Sequence, residues 1–564
     1  MKKKVLCFLI GGAVMWSGCA SLMQEEIQLP MSQEDTASQW EEAETTPYGK
    51  YPELVTYTLG KMTGANNSNM PEGDTYENNV YTRYLKDLLN IQNEDAFEAT
   101  ESQYSTNVTM AIASNKLPDV MVVDDYEDLV LLVEGDQIAD LTEVYENCAS
   151  ETIKEIYNSY GDSIFNNVMF DGKLMAIPET NISDGPNLLW LRKDWLDALG
   201  LPEPKTLEDV ETIVKAFVEK HPGTAAGETT GLICNTTLTG EKGYSYEYLV
   251  DIVFSNFGAY PKHWIKNDKG EVVYGSVQPE VKNALKLLNR WYNQGILDRD
   301  FLLRTSSNLI ELVVQEKCGA FFGPWWAPNN PLCNAMQENP AAEWKPYLIS
   351  TDGSGITTYC SQNPGYKYVV VRKGYKHPEL VVKQLSALFD YAMNDLTDTT
   401  EMEQYFQQNV DPTARPLAIN VDYNNALMRC YEGIQDVMAG KRSEDTLTLV
   451  ERAYYQSCKL YMESPELTGV DEWAAYSSRI EACSLIANGN VKKKESLFFG
   501  TTETMKSEWW KLKVKEQNAF LQIITGEKDI SYFEQFVSEW NNEGGNAITQ
   551  EVRMFLDEKD AAKP

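Results

Sequence analysis

Short apolar runs alternate with amphipathic stretches along most of the chain, and their order predicts strands interleaved with helices. Residues 54–58 read as a strand and 81–89 as an amphipathic helix; 109–114 end another helix, turned at Leu117-Pro118-Asp119. Residues 120–123 are apolar at every position, the pattern of a parallel strand buried on both faces. That run ends in Asp124-Asp125-Tyr126. Ligands of open parallel sheets gather beyond the carboxyl ends of the strands, which makes this acidic, aromatic tip a candidate site. A helix cap is an equal reading for one of the two aspartates. Residues 171–178 form a hairpin turn into a strand that a proline ends, and 188–191 a second buried strand.

Helix punctuation is clear further on. Gly200 closes a short helix, and Pro202 and Pro204 forbid its continuation. Thr206 and Asp209 make an acidic capping box. Residues 279–294 carry Val281, Ala284, Leu285, Leu288 and Trp291 on one stripe, closed by Gly295. Residues 515–524, 533–540 and a last segment through Phe555 also read as helices. The whole argues for α/β lobes with parallel sheets.

The N-terminus breaks this pattern. Lys2-Lys3-Lys4 precedes a short apolar run and Ser17-Gly18-Cys19. The run is too short to span a bilayer core of about 30 Å, and its charge order is that of an export signal. The cysteine after two small residues marks a lipoprotein signal, residues 1–18, with cleavage before Cys19 and acylation of its thiol. Residues 19–50, rich in Glu, Gln, Ser and Thr, read as a flexible acidic tether. The chain is thus expected outside the cytoplasm, lipid-anchored to the cell membrane at the bacterial surface.

The remaining body exceeds what one compact core usually serves, so two lobes are expected. Asp and Glu number 84 against 49 Lys and Arg, a net charge of −35 that makes nucleic acid an unsuitable partner. After the signal no apolar stretch is long enough to cross a membrane. Of ten cysteines, the eight beyond Cys19 show no CxxC pair, and the three histidines are isolated. Buried free thiols are the expectation, and neither a metal nor a cofactor is assigned. Asp268-Lys269-Gly270-Glu271 lacks the ligand spacing of a calcium loop. No nucleophile elbow, phosphate loop or zinc-protease motif is present, and nothing singles out a catalytic carboxylate pair, so no catalytic residue is named.

Aromatic residues beside short polar groups suit carbohydrate, whose apolar faces stack on rings while its hydroxyls meet carboxylates and amides. Adjacent Trp325 and Trp326 follow Phe321-Phe322-Gly323-Pro324; neighbours in a strand point opposite ways, so one packs and one faces a cleft. Tyr244, Tyr246 and Tyr248 alternate around Glu247, either as a site or as a half-buried strand. Tyr359, Trp509 and Asn181 complete the candidates.

Leu117-Pro118-Asp119-Val120, then Gly172 through Pro178, then Leu189-Trp190-Leu191-Arg192-Lys193-Asp194-Trp195-Leu196, then Gly323 through Pro328 and residues 366–376 occur in a telling order. Together they resemble the family 1 extracellular solute-binding proteins of bacterial ABC importers, the oligosaccharide-binding lipoprotein subset in particular, and more distantly the maltose-binding protein. The resemblance covers residues 50–556. It implies a two-lobed periplasmic-binding-protein-like α/β fold of type II, with lobe 1 from 51–180 and 366–430 and lobe 2 from 185–362 and 431–564. Chain crossings are then expected near 179–185, 360–365 and 420–435, with a helical C-terminal layer on lobe 2. It further implies a non-catalytic monomer that closes on a carbohydrate and hands it to ABC permease subunits. Trp325 matches the family's sugar-stacking position, Tyr246 and Glu247 fall where relatives place an aromatic–acid pair, and Trp509 where some add a third ring. Three other readings stay open: a surface glycosidase or lyase, a sensor or adhesin on the same fold, and a peptide or small charged solute as ligand. Arg192-Lys193 could present positive charge to an acidic sugar.

Overall fold

The computed structural model describes residues 33–64, 69–161, 164–182, 185–223, 229–240, 247–350, 354–394 and 400–561. In chain order, helix α1 (Gln33–Thr45) precedes strands β1 (Val55–Met62), β2 (Ile91–Ala99) and β3 (Val120–Val123) and helix α2 (Tyr126–Glu134). Strands β4 (Ile177–Pro178) and β5 (Leu188–Arg192), helix α3 (Asp251–Ser255), and strands β6 (Ala320–Gly323) and β7 (Trp344–Tyr347) follow. Then come strands β8 (Ile356–Cys360) and β9 (Tyr368–Val371), helices α4 (Thr400–Gln407) and α5 (Leu449–Glu463), strand β10 (Asn490–Lys494) and helix α6 (Glu503–Thr525).

Two separate cores give two lobes. The first surrounds a five-stranded sheet of order β2-β1-β3-β9-β4, into which Leu59, the four residues of β3 and the four of β9 are fully buried. The second surrounds a three-stranded sheet, β6-β5-β7, together with Trp291 and a C-terminal helical layer that contributes Leu512, Phe520, Phe536 and Trp540. Burying apolar area of this kind stabilises by roughly 25 cal/mol per Å², so each lobe holds its own sheet without help from the other.

Strand direction departs from expectation. β1, β2 and β3 are parallel, but β9 runs antiparallel to β3 and β4, and the second sheet is wholly antiparallel. A continuous apolar run reports burial on both faces, not direction, and helices cover both sheets here. The acidic tether differs too. Its second half is helix α1, whose Ala43 is fully buried and whose Trp40 packs beside Tyr51 and His377. Two anchoring side chains hold it, too few to register as periodicity. The local signals elsewhere act as read: Thr206 and Asp209 form the reciprocal cap, and Gly295 takes φ 72° where a left-handed residue ends the stripe-bearing helix. All eight cysteines beyond Cys19 are free, and seven are buried.

Candidate functional site

Three chain segments run between the lobes and lie side by side. The backbone N–H of Glu179 donates to Lys367, that of Thr180 to Asn420 and that of Asn181 to Pro364, at 2.7, 2.8 and 2.7 Å. The buried Glu179 carboxylate ties the other two together, accepting from the Asn420 N–H at 3.0 Å and lying 3.6 Å from Lys367 Nζ. The Tyr160 hydroxyl adds a bond to the Asp422 carbonyl at 2.9 Å. Backbone pairing of three crossings leaves few dihedrals to absorb any rotation of one lobe against the other.

Because β3 and β4 end at these crossings and β9 begins there, the carboxyl ends of the first sheet face the second lobe. Asp124, Asp125 and Tyr126 sit at that edge. Asp125 is the N-cap of α2, accepting from the Glu127 N–H at 2.8 Å, which is the capping reading. Asp124 lies beside the Ser105 hydroxyl at 3.4 Å and leaves its carboxylate half-exposed at the edge. Tyr126 packs edge-on against Tyr368, with ring centroids 6.0 Å apart. Asn181 is buried inside the crossings, where its side-chain amide donates to the Asn363 carbonyl at 3.3 Å, so it holds the joint instead of facing a ligand.

On the second lobe β5 begins, and β6 ends, at the same place. A narrow polar pocket of about 30 Å³ lies there, lined by Asn187, Thr239, Asp251, Tyr260, His263, Tyr359 and Gln362 among others. Tyr359 comes from β8, which pairs with β10, and Asp251 opens α3 while accepting from the Gly240 N–H at 2.9 Å. Desolvation raises the Asp251 carboxyl to about 6. It raises Glu247 to about 8, although that side chain keeps some exposure. An acid held near 8, as Glu247 is, keeps its proton at neutral pH and can both donate to and accept from hydroxyls, whereas Asp251 is mostly ionised there and accepts. Tyr246 lies outside the described residues, and Tyr248 is a core residue packed 5.2 Å from Phe321.

The tryptophan pair lies in the turn that follows β6, outside the strand, and its two rings differ in exposure. Trp325 is 5% exposed, and the Arg479 guanidinium covers its ring at 4.4 Å while also stacking on Tyr454 at 4.0 Å. Trp326, only partly buried, is the ring of the two with free surface. Trp509 is not at the cleft: it packs into the second lobe against Trp264, Tyr274 and Trp540. A position on a long amphipathic helix selects for core packing, and this one does. Arg192 does not face a ligand either; it is 3% exposed and paired with Asp194 at 2.6 Å and Glu316 at 2.8 Å. Sequence reasoning missed Asp251, Tyr260, His263 and Arg479, none of which stands in a local motif.

The lobes also meet on two flanks. On one, Arg452 of α5 pairs with Glu403 of α4 at 3.0 Å, Gln407 meets Gln456, and the Asn409 amide donates to the Asn329 carbonyl. On the other, Lys506 at the start of α6 reaches Glu134 at the end of α2 at 3.0 Å. The pocket of about 30 Å³ is far below the roughly 300–1,000 Å³ of a ligand pocket, and its lining runs from Gly185 to Gln362 with no residue from the first lobe.

A family model described as bacterial extracellular solute-binding protein matches residues 67–393. The chain is 22% identical over 480 residues to the polygalacturonan/rhamnogalacturonan-binding protein YtcQ of Bacillus subtilis (strain 168), covering 83% of this chain and 87% of the relative. It is 23% identical over 477 residues to lipoprotein LipO of the same organism, covering 81% and 84%. Among solved structures, the alginate-binding protein AlgQ2 superposes with a TM-score of 0.62 at 15% identity, over 91% of this chain and 99% of that one. Two α/β lobes joined by three paired crossings, with a recessed polar face between them, agree with the family match: the chain belongs to the bacterial extracellular solute-binding proteins.

Proposed function

We propose that the chain captures a carbohydrate, an oligosaccharide in particular, between its lobes without turning it over, and delivers it to an ABC import permease. The observation that carries this reading is the composition of the face between the lobes. Tyr359 and Tyr260, both partly exposed, line one pocket with the recessed acid Asp251 and the amides Asn187 and Gln362, the mixture that sugar faces and hydroxyls require. The names of the relatives add support: YtcQ is named for binding polygalacturonan and rhamnogalacturonan, and AlgQ2 for binding alginate. Ligand that touches both lobes favours the closed arrangement by its differential affinity.

The test is a thermal-shift screen of the full-length protein in detergent against neutral and acidic oligosaccharides, with amino acids and peptides as controls. Ligand at about 100 times its dissociation constant adds roughly 2.7 kcal/mol of stability. A shift with a glycan class and no released product is expected; a shift with peptides alone would refute the carbohydrate assignment.

Membrane attachment belongs to the same reading. Cys19 follows a lipoprotein-type signal, and the relative LipO is named a lipoprotein. Cys19→Ser should move the protein from the membrane fraction to the medium, and retention of the variant in the membrane would contradict lipidation.

A further inference from the structure

At the opposite end of the first lobe, where β1 begins and β9 ends, lies a larger pocket of about 480 Å³ bordered by Trp40, Asp119, Arg372, Tyr375 and His377. Beside it stand Glu44 from the last turn of α1 and His377 and Glu379 from the turn after β9. One donor atom from each lies within 4.8 Å of the other two. His377 Nδ1 is 3.3 Å from Glu379 Oε1 and 3.9 Å from Glu44 Oε1.

We propose that Glu44, His377 and Glu379 bind a divalent transition cation, Zn²⁺ by chemistry, and that the bound ion fastens helix α1 to lobe 1. Three donor atoms within 4.8 Å of one another, two of the separations being 3.3 and 3.9 Å, can share one ion after a small inward movement to the roughly 2.0–2.2 Å of zinc with imidazole nitrogen and carboxylate oxygen. Imidazole with two carboxylates is a donor set that suits zinc, and two negative ligands match the charge of the ion.

The surroundings hold the ligands as an outer shell does. The Tyr51 hydroxyl donates to Glu379 Oε1 at 2.6 Å, orienting a carboxylate whose side chain is only 6% exposed. The His377 ring is stacked on Trp40 at 5.4 Å and flanked edge-on by Tyr51 at 5.5 Å and Tyr375 at 6.1 Å. The nearby Lys383 ammonium donates to the Thr46 carbonyl at 2.7 Å. Glu44 is about half exposed, so solvent and the pocket together give the ion a path in. The site sits at the end of the sheet away from the crossings and joins the body to helix α1. Its role is therefore structural, setting how the anchored segment leaves the lobe, and it does not depend on the identity of the ligand between the lobes.

The test is calorimetric titration of ZnCl₂ into full-length protein in detergent, previously stripped with EDTA, alongside His377→Gln and Glu44→Gln. One equivalent of zinc should bind the parent and raise its melting temperature, and each variant should lose at least tenfold in affinity. Co²⁺ in the parent should give a visible absorption band that both variants lack. Glu44 is a surface side chain, so its variant reports on the site even if His377→Gln fails to fold. Absence of stoichiometric zinc binding would overturn the proposal. So would equal affinity in the parent and Glu44→Gln, because the ion would then lie elsewhere.

Discussion

Trp325 and Trp326 separate stability from binding at the scale of single residues. Trp325 is enclosed between β6 and Arg479, so Trp325→Ala leaves a cavity and should cost about 3–5 kcal/mol of stability. Trp326→Ala should leave the melting temperature nearly unchanged and weaken sugar binding by about 1–2 kcal/mol. Denaturant melts and titrations of both variants check this, and the reverse pattern would exchange the two roles. Glu247 yields a pH dependence. Its carboxyl is raised to about 8 from an ordinary 4.5, so between those values the folded chain binds more protons than the unfolded one. Its contribution is whole below about pH 4.5 and declines as pH rises through about 8. Melting temperature should therefore fall between about pH 4.5 and 8, and fall less in Glu247→Gln, which stays neutral. Parallel pH profiles for parent and variant would contradict this.

At the scale of elements, most of what was local was legible. Residues 120–123 announce a buried strand because every side chain is apolar, and the stripe of Val281–Gln294 and the Thr206 cap are helix signals complete within one or two turns. Helix α6 reads as a helix only over its second half, because its mean amphipathicity is weak where Glu503 through Lys515 lie half in solvent. Strand direction was not legible, since partners come from distant parts of the chain: β9 lies between β3 and β4 only once the crossings have formed. The site divides the same way. Asp124, Glu247, Trp326 and Tyr359 are candidates from sequence because a ring or an acid beside a turn or strand end is a local signal. Asp251 and Tyr260 join Tyr359 in one pocket only through tertiary contacts. The Glu44–His377–Glu379 cluster was hidden for the same reason, its ligands arriving from the first helix and from the turn after β9. Trp509 reads from sequence as preceding a helix, yet it lies inside α6 and packs edge-on against Tyr274.

The whole molecule is two stable lobes joined by a joint of three paired segments, with ion pairs closing both flanks. Lys506–Glu134 is an exposed pair, of a kind that contributes roughly 0–1 kcal/mol, whereas the Arg452 and Glu403 side chains are only 14% and 16% exposed. The acidic surface, −35 overall, keeps the lobes soluble and rules out anionic polymers held by general charge. An acidic sugar would need a local cation, and Arg479 does not present one, its guanidinium being enclosed between Trp325 and Tyr454. The central claim is that ligand is held between the lobes and touches both. Hydrogen exchange of the full-length protein, with and without a saturating oligosaccharide, tests it most directly. The account predicts added protection at residues 123–126 of lobe 1, at 247–260 and 356–362 of lobe 2, and along the three crossings. Protection confined to one lobe, or none under saturating sugar, would contradict it.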